Sequence, residues 1–97
     1  MPGFALVTPP RIADRIRHLP PDVKRGIREA MRAIADDPAR GEPLRHDLTG
    51  YLKYKVRRFR IVYKVDRSAR TIRIMSIGHR RAIYEELAAA MRPRSAT

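Results

Sequence analysis

The apolar positions of this 97-residue chain change their spacing several times, and each change marks an element. Phe4 to Val7 is a short apolar run ended by Pro9 and Pro10, and reads as a first or edge strand. Between Arg11 and Leu19, the residues Ile12, Ile16 and Leu19 fall on one helical stripe, which Pro20 and Pro21 close. Val23, Ile27, Ala30, Met31 and Ile34 then repeat at the i, i+4, i+7, i+8, i+11 spacing of a buried helix face. Pro21 suits the first turn of this second helix, where the missing N–H has no intrahelical partner to lose, and Asp36-Asp37-Pro38 stops it. The two helices, joined at Pro20-Pro21, form a helical hairpin.

Ala39 to Gly50 is polar, carries Gly41, Pro43 and Gly50, and is expected to be loop. Three strand-like runs follow: Tyr51 to Val56, Phe59 to Val65 and Thr71 to Ile77. Only Arg57-Arg58 separates the first two, a hairpin spacing. A two-residue type I′ turn needs positive φ at both central positions, which arginine resists, so a wider or bulged turn is expected there. Asp66 to Arg70 forms a longer hairpin loop. Ile83, Leu87 and Met91, at four-residue steps, predict a closing helix from about Arg80 to Met91. The order is β-α-α-β-β-β-α, an α+β fold whose mainly antiparallel sheet packs against the helical hairpin and the C-terminal helix. A chain this short supports one core, so a single domain is expected over residues 1–92, with a frayed tail at 93–97.

Composition narrows the chemistry. Hydrophobic residues make up 43% of the chain, enough for one core. Cysteine is absent, which excludes a disulfide framework, a thiolate nucleophile and Cys-ligated metal sites. His18, His46 and His79 lack metal-ligand spacing, and no glycine-rich phosphate loop is present. The acidic residues are too few and too dispersed for a two-metal nuclease. No apolar run approaches the roughly 18–20 residues of a membrane span, and Met1 to Thr8 is too short for a secretory signal. A cytoplasmic protein without cofactor or membrane partner is expected.

Charge changes the picture most. There are 22 basic and 10 acidic residues, a formal net charge of +12. Only Lys24, Lys53, Lys55 and Lys64 are lysines; the other basic residues are arginines, whose planar fork suits phosphate. A small domain this basic repels itself, and a polyanion or acidic partner offsets that cost. Genome composition can also enrich arginine with no physical cause. Between Tyr51 and Lys64 stand Lys53, Lys55, Arg57, Arg58, Arg60 and Lys64, with no acidic residue. The strand period of two sets Leu52, Tyr54 and Val56 on one face and Tyr51, Lys53 and Lys55 on the other, with Arg57 continuing that basic row. In the next strand Phe59, Ile61, Tyr63 and Val65 oppose Arg60, Val62 and Lys64, so Arg60 should emerge near the lysines. A solvated strand face would account for such lysines. Cations interleaved with Tyr51, Tyr54 and Tyr63 also match what holds a single RNA strand, charge on phosphates and stacking on bases.

Two blocks carry a resemblance. Leu48-Thr49-Gly50-Tyr51 leads into Lys53-Tyr54-Lys55-Val56-Arg57-Arg58-Phe59-Arg60-Ile61-Val62-Tyr63, and Ile77-Gly78-His79-Arg80-Arg81-Ala82-Ile83-Tyr84 follows. Together with the element order, they resemble the RelE/ParE superfamily of bacterial toxins from type II toxin–antitoxin systems. The second block looks like the RelE branch, whose members cleave mRNA in the ribosomal A site. The ParE branch is similar in fold but poisons DNA gyrase. The resemblance implies a RelE-like fold and a metal-independent, ribosome-dependent mRNA endoribonuclease that inhibits translation. It implies Lys53 and Lys55 as base or electrostatic stabiliser, Arg60 as the catalytic-site arginine of the family's Tyr-Arg-x-x-Tyr strand, Arg80 as a support of the transition state, and Tyr84 as the residue that stacks on a base and orients the nucleotide. Arg57, Arg58, His79, Arg81 and Arg45 are candidate RNA contacts. The implied partners are the ribosome with its mRNA and a cognate antitoxin that offers acidic and amphipathic segments.

RNA carries its own nucleophile, the 2′-hydroxyl, so such a site needs no metal. A lysine set among cations has its charged form disfavoured and approaches base competence, while arginine stays charged and pairs with phosphate. Each residue also has a plainer role open to it. Tyr84 could sit in the core, His79 could cap a helix, and Arg45 could be solvated loop. Two rivals remain: a ParE-like gyrase inhibitor without chemistry, and a non-toxic RNA-binding module of the same fold.

Overall fold

The computed structural model describes residues 3–45 and 48–79. Strand β1 (Ala5–Val7) leads into helix α1 (Pro10–Arg17) and helix α2 (Pro21–Asp36). A 3-10 turn (Pro38–Arg40) and the two-residue strand β2 (Glu42–Pro43) follow, then β3 (Tyr51–Val56), β4 (Phe59–Asp66) and β5 (Thr71–His79). Both helices begin on a proline at N1 after an extended proline, where the fixed φ is preorganised. The expected helix over Arg80 to Met91 lies outside the described residues.

The sheet order is β1-β5-β4-β3-β2. Three pairings are antiparallel, and β1 runs parallel to β5, so the sheet is mixed. The helical hairpin covers one face. Ile12 and Ile16 of α1 and Ile27, Ala30 and Ile34 of α2 pack with Ile61, Tyr63, Ile72, Ile74 and Ile77 in one buried cluster. Gly26 interrupts α2 where it crosses the sheet, since a Cβ there would sit 3.2 Å from Val56 Cγ1. Helix propensity yields at that point to close approach.

Two expectations are corrected. Ala39 to Gly50 is not all loop, because Glu42 and Pro43 pair with Lys53 and Leu52 and add an edge strand. Proline at that position suits an edge, which needs no donor from it. Tyr63 holds the approach to this strand. Its hydroxyl donates to the Pro38 carbonyl (2.8 Å) and accepts from the Gly41 N–H (2.9 Å). Burial pushes the Tyr63 pKa up, against the opposing effect of the Gly41 N–H. Second, the β3–β4 turn is neither wide nor bulged: Val56 pairs directly with Phe59, leaving Arg57 and Arg58 as the two turn residues. Arg57 takes the positive φ, at 56°. The sheet's irregularity sits instead between β4 and β5, where Val62 pairs with Ser76 but Tyr63 pairs with Ile74. Met75 is the extra residue, and the bulge shifts the core-facing series from Ile72 and Ile74 to Ile77.

Candidate nucleic-acid interface

The face of the sheet away from the helices is the candidate site. Leu52, Tyr54 and Val56 pack on the helix-side core, so Tyr51, Lys53 and Lys55 project the other way. The same alternation turns Arg60, Val62 and Lys64 of β4 outward. Register then sets three rows across the strands. Lys55 faces Arg60 and then Gly78; Lys53 faces Val62 and then Ser76; Tyr51 faces Lys64 and then Arg73. The structure therefore brings Lys53, Lys55 and Arg60 together.

The charges on this face are arranged unfavourably for stability. Lys55 and Arg60 are directly opposed, as are Lys64 and Arg73, and like charges at such positions destabilise a sheet. Arg60 is steadied by its own turn: Nη1 donates to the carbonyls of Phe59 (3.1 Å) and Arg57 (3.3 Å). Lys64 Nζ lies 5.6 Å from the Tyr51 ring centroid, a cation–π contact. Lys53 has a carboxylate nearby, Glu42 Oε1 at 3.9 Å. The chain's run of cations without a local acid is thus partly relieved in the fold, by a strand the sequence pattern did not reveal. Val62, fully buried, forms a small apolar floor under Leu44, Leu48, Tyr51 and Met75.

Other expected contacts go elsewhere. Arg57 does not continue the basic row; it reaches 3.3 Å to Asp22 at the start of α2, on the helix side. His79 stacks on Phe59, with ring centroids 4.5 Å apart, and Phe59 packs on the helix-side core. Tyr54 and Tyr63 also face the helices, so of the three interleaved tyrosines Tyr51 is the one on the basic face. Arg58 is exposed at the turn, and Arg45 is exposed in the loop after β2. Arg80, Arg81 and Tyr84 lie outside the described residues. Lys64 and Arg73 join the face although neither was a candidate. The period of two in β4 signals Lys64; its pairing with Arg73 is set by the register of the β4–β5 hairpin, which pairs Asp66 with Thr71. Among the described residues, no cluster of His, Asp and Glu could hold a metal ion, and no helix is long and apolar enough to cross a membrane. Fixed cations around an apolar floor with one aromatic ring can hold phosphates and support a base.

The profile of the family described as "ParE toxin of type II toxin-antitoxin system, parDE" matches residues 11–84. The chain belongs to this toxin family. It is thereby a type II toxin of the RelE/ParE superfamily, and its solved likenesses are mostly RelE toxins. The toxin–antitoxin complex RelBE2 from Mycobacterium tuberculosis is similar at 25% identity, covering 80% of this chain and 99% of that one, with a TM-score of 0.72. The free E. coli toxin RelE, as a double arginine mutant, shares the fold at 21% identity, with 93% and 99% covered and a TM-score of 0.75. The YoeB–YefM complex from Staphylococcus aureus shares it at 22% identity, with 78% and 95% covered and a TM-score of 0.65. No curated protein matches the toxin significantly. The expected α+β arrangement of a helical hairpin on the sheet is present, with the sheet mixed and five-stranded.

Proposed function

We propose that this toxin is a ribosome-dependent endoribonuclease that cleaves mRNA in the A site and so inhibits translation. The observation that carries the reading is the convergence of Lys53, Lys55 and Arg60 on the sheet face opposite the helical hairpin, with Lys55 and Arg60 directly opposed. A juxtaposition that costs stability is retained where a polyanion offsets it. In the proposed reaction the 2′-oxygen attacks the adjacent phosphorus and the bond from phosphorus to the 5′-oxygen breaks. The products are a 2′,3′-cyclic phosphate and a 5′-hydroxyl, the leaving 5′-oxygen taking a proton from water as the 2′-oxygen loses its own. Lys53 and Lys55 provide the proton acceptor and a charge against the phosphate oxygens. Arg60, held by its turn carbonyls, provides a second fixed charge. By the resemblance, Arg80 and Tyr84 complete the site, the arginine on the phosphate and the tyrosine on a base. In-line alignment is supplied by the ribosome, which holds the message in the reactive shape. A cognate antitoxin with acidic segments neutralises the same face; several structural relatives are complexes with antitoxins.

The test is to mix the protein with mRNA-programmed ribosomes and map the 5′ ends of fragments, with an Arg60→Ala, Tyr84→Ala double variant beside it. Cleavage in the A-site codon, lost in the variant and absent without ribosomes, is expected. An intact message with toxic protein overturns the reading. The match to the ParE family favours a second one, inhibition of DNA gyrase without chemistry. It predicts blocked supercoiling and tolerance of Lys53 and Lys55 substitution.

A further inference from the structure

The far end of this sheet face holds a feature the proposed chemistry does not use. Val7, Arg73 and Lys64 form one row across β1, β5 and β4, and Thr71 and Asp66 form the next. With Val65 and Arg67 these residues line a hollow of about 390 Å³. Arg73, Lys64 and Arg67 are exposed around it. Asp66 is the acid there, and its Oδ1 is engaged in the β4–β5 turn, accepting from the Ala69 N–H (3.1 Å) and the Ser68 hydroxyl (2.9 Å). Between this end and the Lys55–Arg60 end lies the apolar floor with Tyr51 and Met75. Arg60 and Lys64 are four residues apart on β4, roughly 13 Å along the strand.

We infer that Lys64 and Arg73, flanked by Arg67, form a second phosphate subsite, so that the toxin grips a single RNA strand at two points with a base laid over Tyr51 and Met75. This rests on the RNA reading above and extends it from one reacting phosphate to a bound stretch of strand. Two directly opposed cations beside a hollow suit an anion, and alternation of cation, apolar floor and cation matches the phosphate–base–phosphate order of an RNA chain. An acidic peptide would gain from the cations but would leave the aromatic floor unmatched.

The experiment measures anisotropy of a 2′-O-methyl RNA of about ten nucleotides, which lacks the nucleophile, across a salt series. Lys64→Gln, Arg73→Gln is compared with wild type and with Arg28→Gln, Arg32→Gln on the exposed face of α2, which removes equal charge elsewhere. Loss of two single-strand contacts predicts a salt slope shallower by about 1.4 and binding about 25-fold weaker at 0.1 M salt, with convergence near 1 M. The α2 variant should stay near wild type, and Lys64→Arg, Arg73→Lys should restore binding. Equal weakening in both Gln variants would overturn the subsite, as would loss of binding to an acidic antitoxin peptide with RNA binding unchanged. If wild type binds and Lys55→Gln, Arg60→Gln weakens it while the Lys64, Arg73 variant does not, the subsite alone fails. If wild type does not bind this RNA, the two-point grip fails, while the cleavage reading is decided separately by the 5′-end mapping on ribosomes.

Discussion

Reversing the charge of Lys55 should stabilise the toxin while disabling it. Lys55 lies directly across from Arg60 in the β3–β4 ladder, so their Cβ atoms are about 5 Å apart and their charges about 7 Å apart. In water that separation is worth about 0.6 kcal/mol. Lys55→Glu removes this repulsion and adds an attraction of similar size, about 1.2 kcal/mol together at low salt. With a Debye length of about 8 Å at physiological ionic strength, roughly 0.5 kcal/mol survives. The assay is urea unfolding of wild type and variant at low and high salt, with toxicity on induction measured in parallel. The variant should show a higher midpoint at low salt, a gap that closes at high salt, and lost toxicity. A midpoint equal to or below wild type at low salt would refute the argument from opposed charges, and so would a gain that persists at high salt.

Tyr63→Phe leaves the buried Pro38 carbonyl and Gly41 N–H without their partner; it should cost about 2–3 kcal/mol and lower the thermal midpoint by roughly 10–20 °C, and an unchanged midpoint would count against the tether. Gly41→Ala drives a Cβ into the Tyr63 hydroxyl and to 2.8 Å from the Lys53 carbonyl. It should loosen β2, read as faster hydrogen exchange at Leu44, whose N–H bonds the Tyr51 carbonyl (2.9 Å). The Ala69 N–H and then the Ser68 hydroxyl hold the Asp66 carboxyl below its ordinary pKa. The ionised form is thus favoured in the fold, and its contribution is present above about pH 4 and lost as pH falls through the lower folded value. Asp66→Asn should therefore differ from wild type at neutral pH and converge with it in acid; a gap independent of pH would exclude the linkage.

The helix-side core was legible because its period is enforced twice. Ile12, Ile16, Ile27 and Ile34 repeat at helical spacing, and Leu52, Tyr54, Val56, Ile61 and Tyr63 alternate at strand spacing, all because they meet at one buried layer. The same alternation placed Lys53, Lys55 and Arg60 correctly on the opposite face. What failed was not periodic. Strand β2 is two residues long and is held by tertiary partners, the Tyr63 hydroxyl and the β3 edge. Arg57 accepts positive φ because the strands on either side fix the turn, overriding a local preference of about 1–2 kcal/mol. Arg57 and His79 take their sides from Asp22 and Phe59, neighbours far away in sequence. The Lys64–Arg73 row was hidden because the register of the β4–β5 hairpin, Asp66 with Thr71, is not written in either strand's alternation, and the bulge at Met75 then resets the pairing beyond Tyr63.

Fold and family are common to both proposed activities, so the argument between them turns on how charge is placed. A surface built to dock a protein has an apolar core and a polar rim. This face follows that order only weakly along β4: the apolar floor is narrow, and lysines, which protein interfaces deplete, stand opposed to arginines at both ends. Such a surface gains most from a ligand that is itself charged at intervals, and RNA meets that condition at every phosphate. An acidic antitoxin segment meets it less regularly. On this reading RNA and antitoxin compete for one set of cations. The antitoxin has only to supply carboxylates where phosphates would lie, and the opposed pairs that destabilise the free toxin strengthen its hold on either ligand.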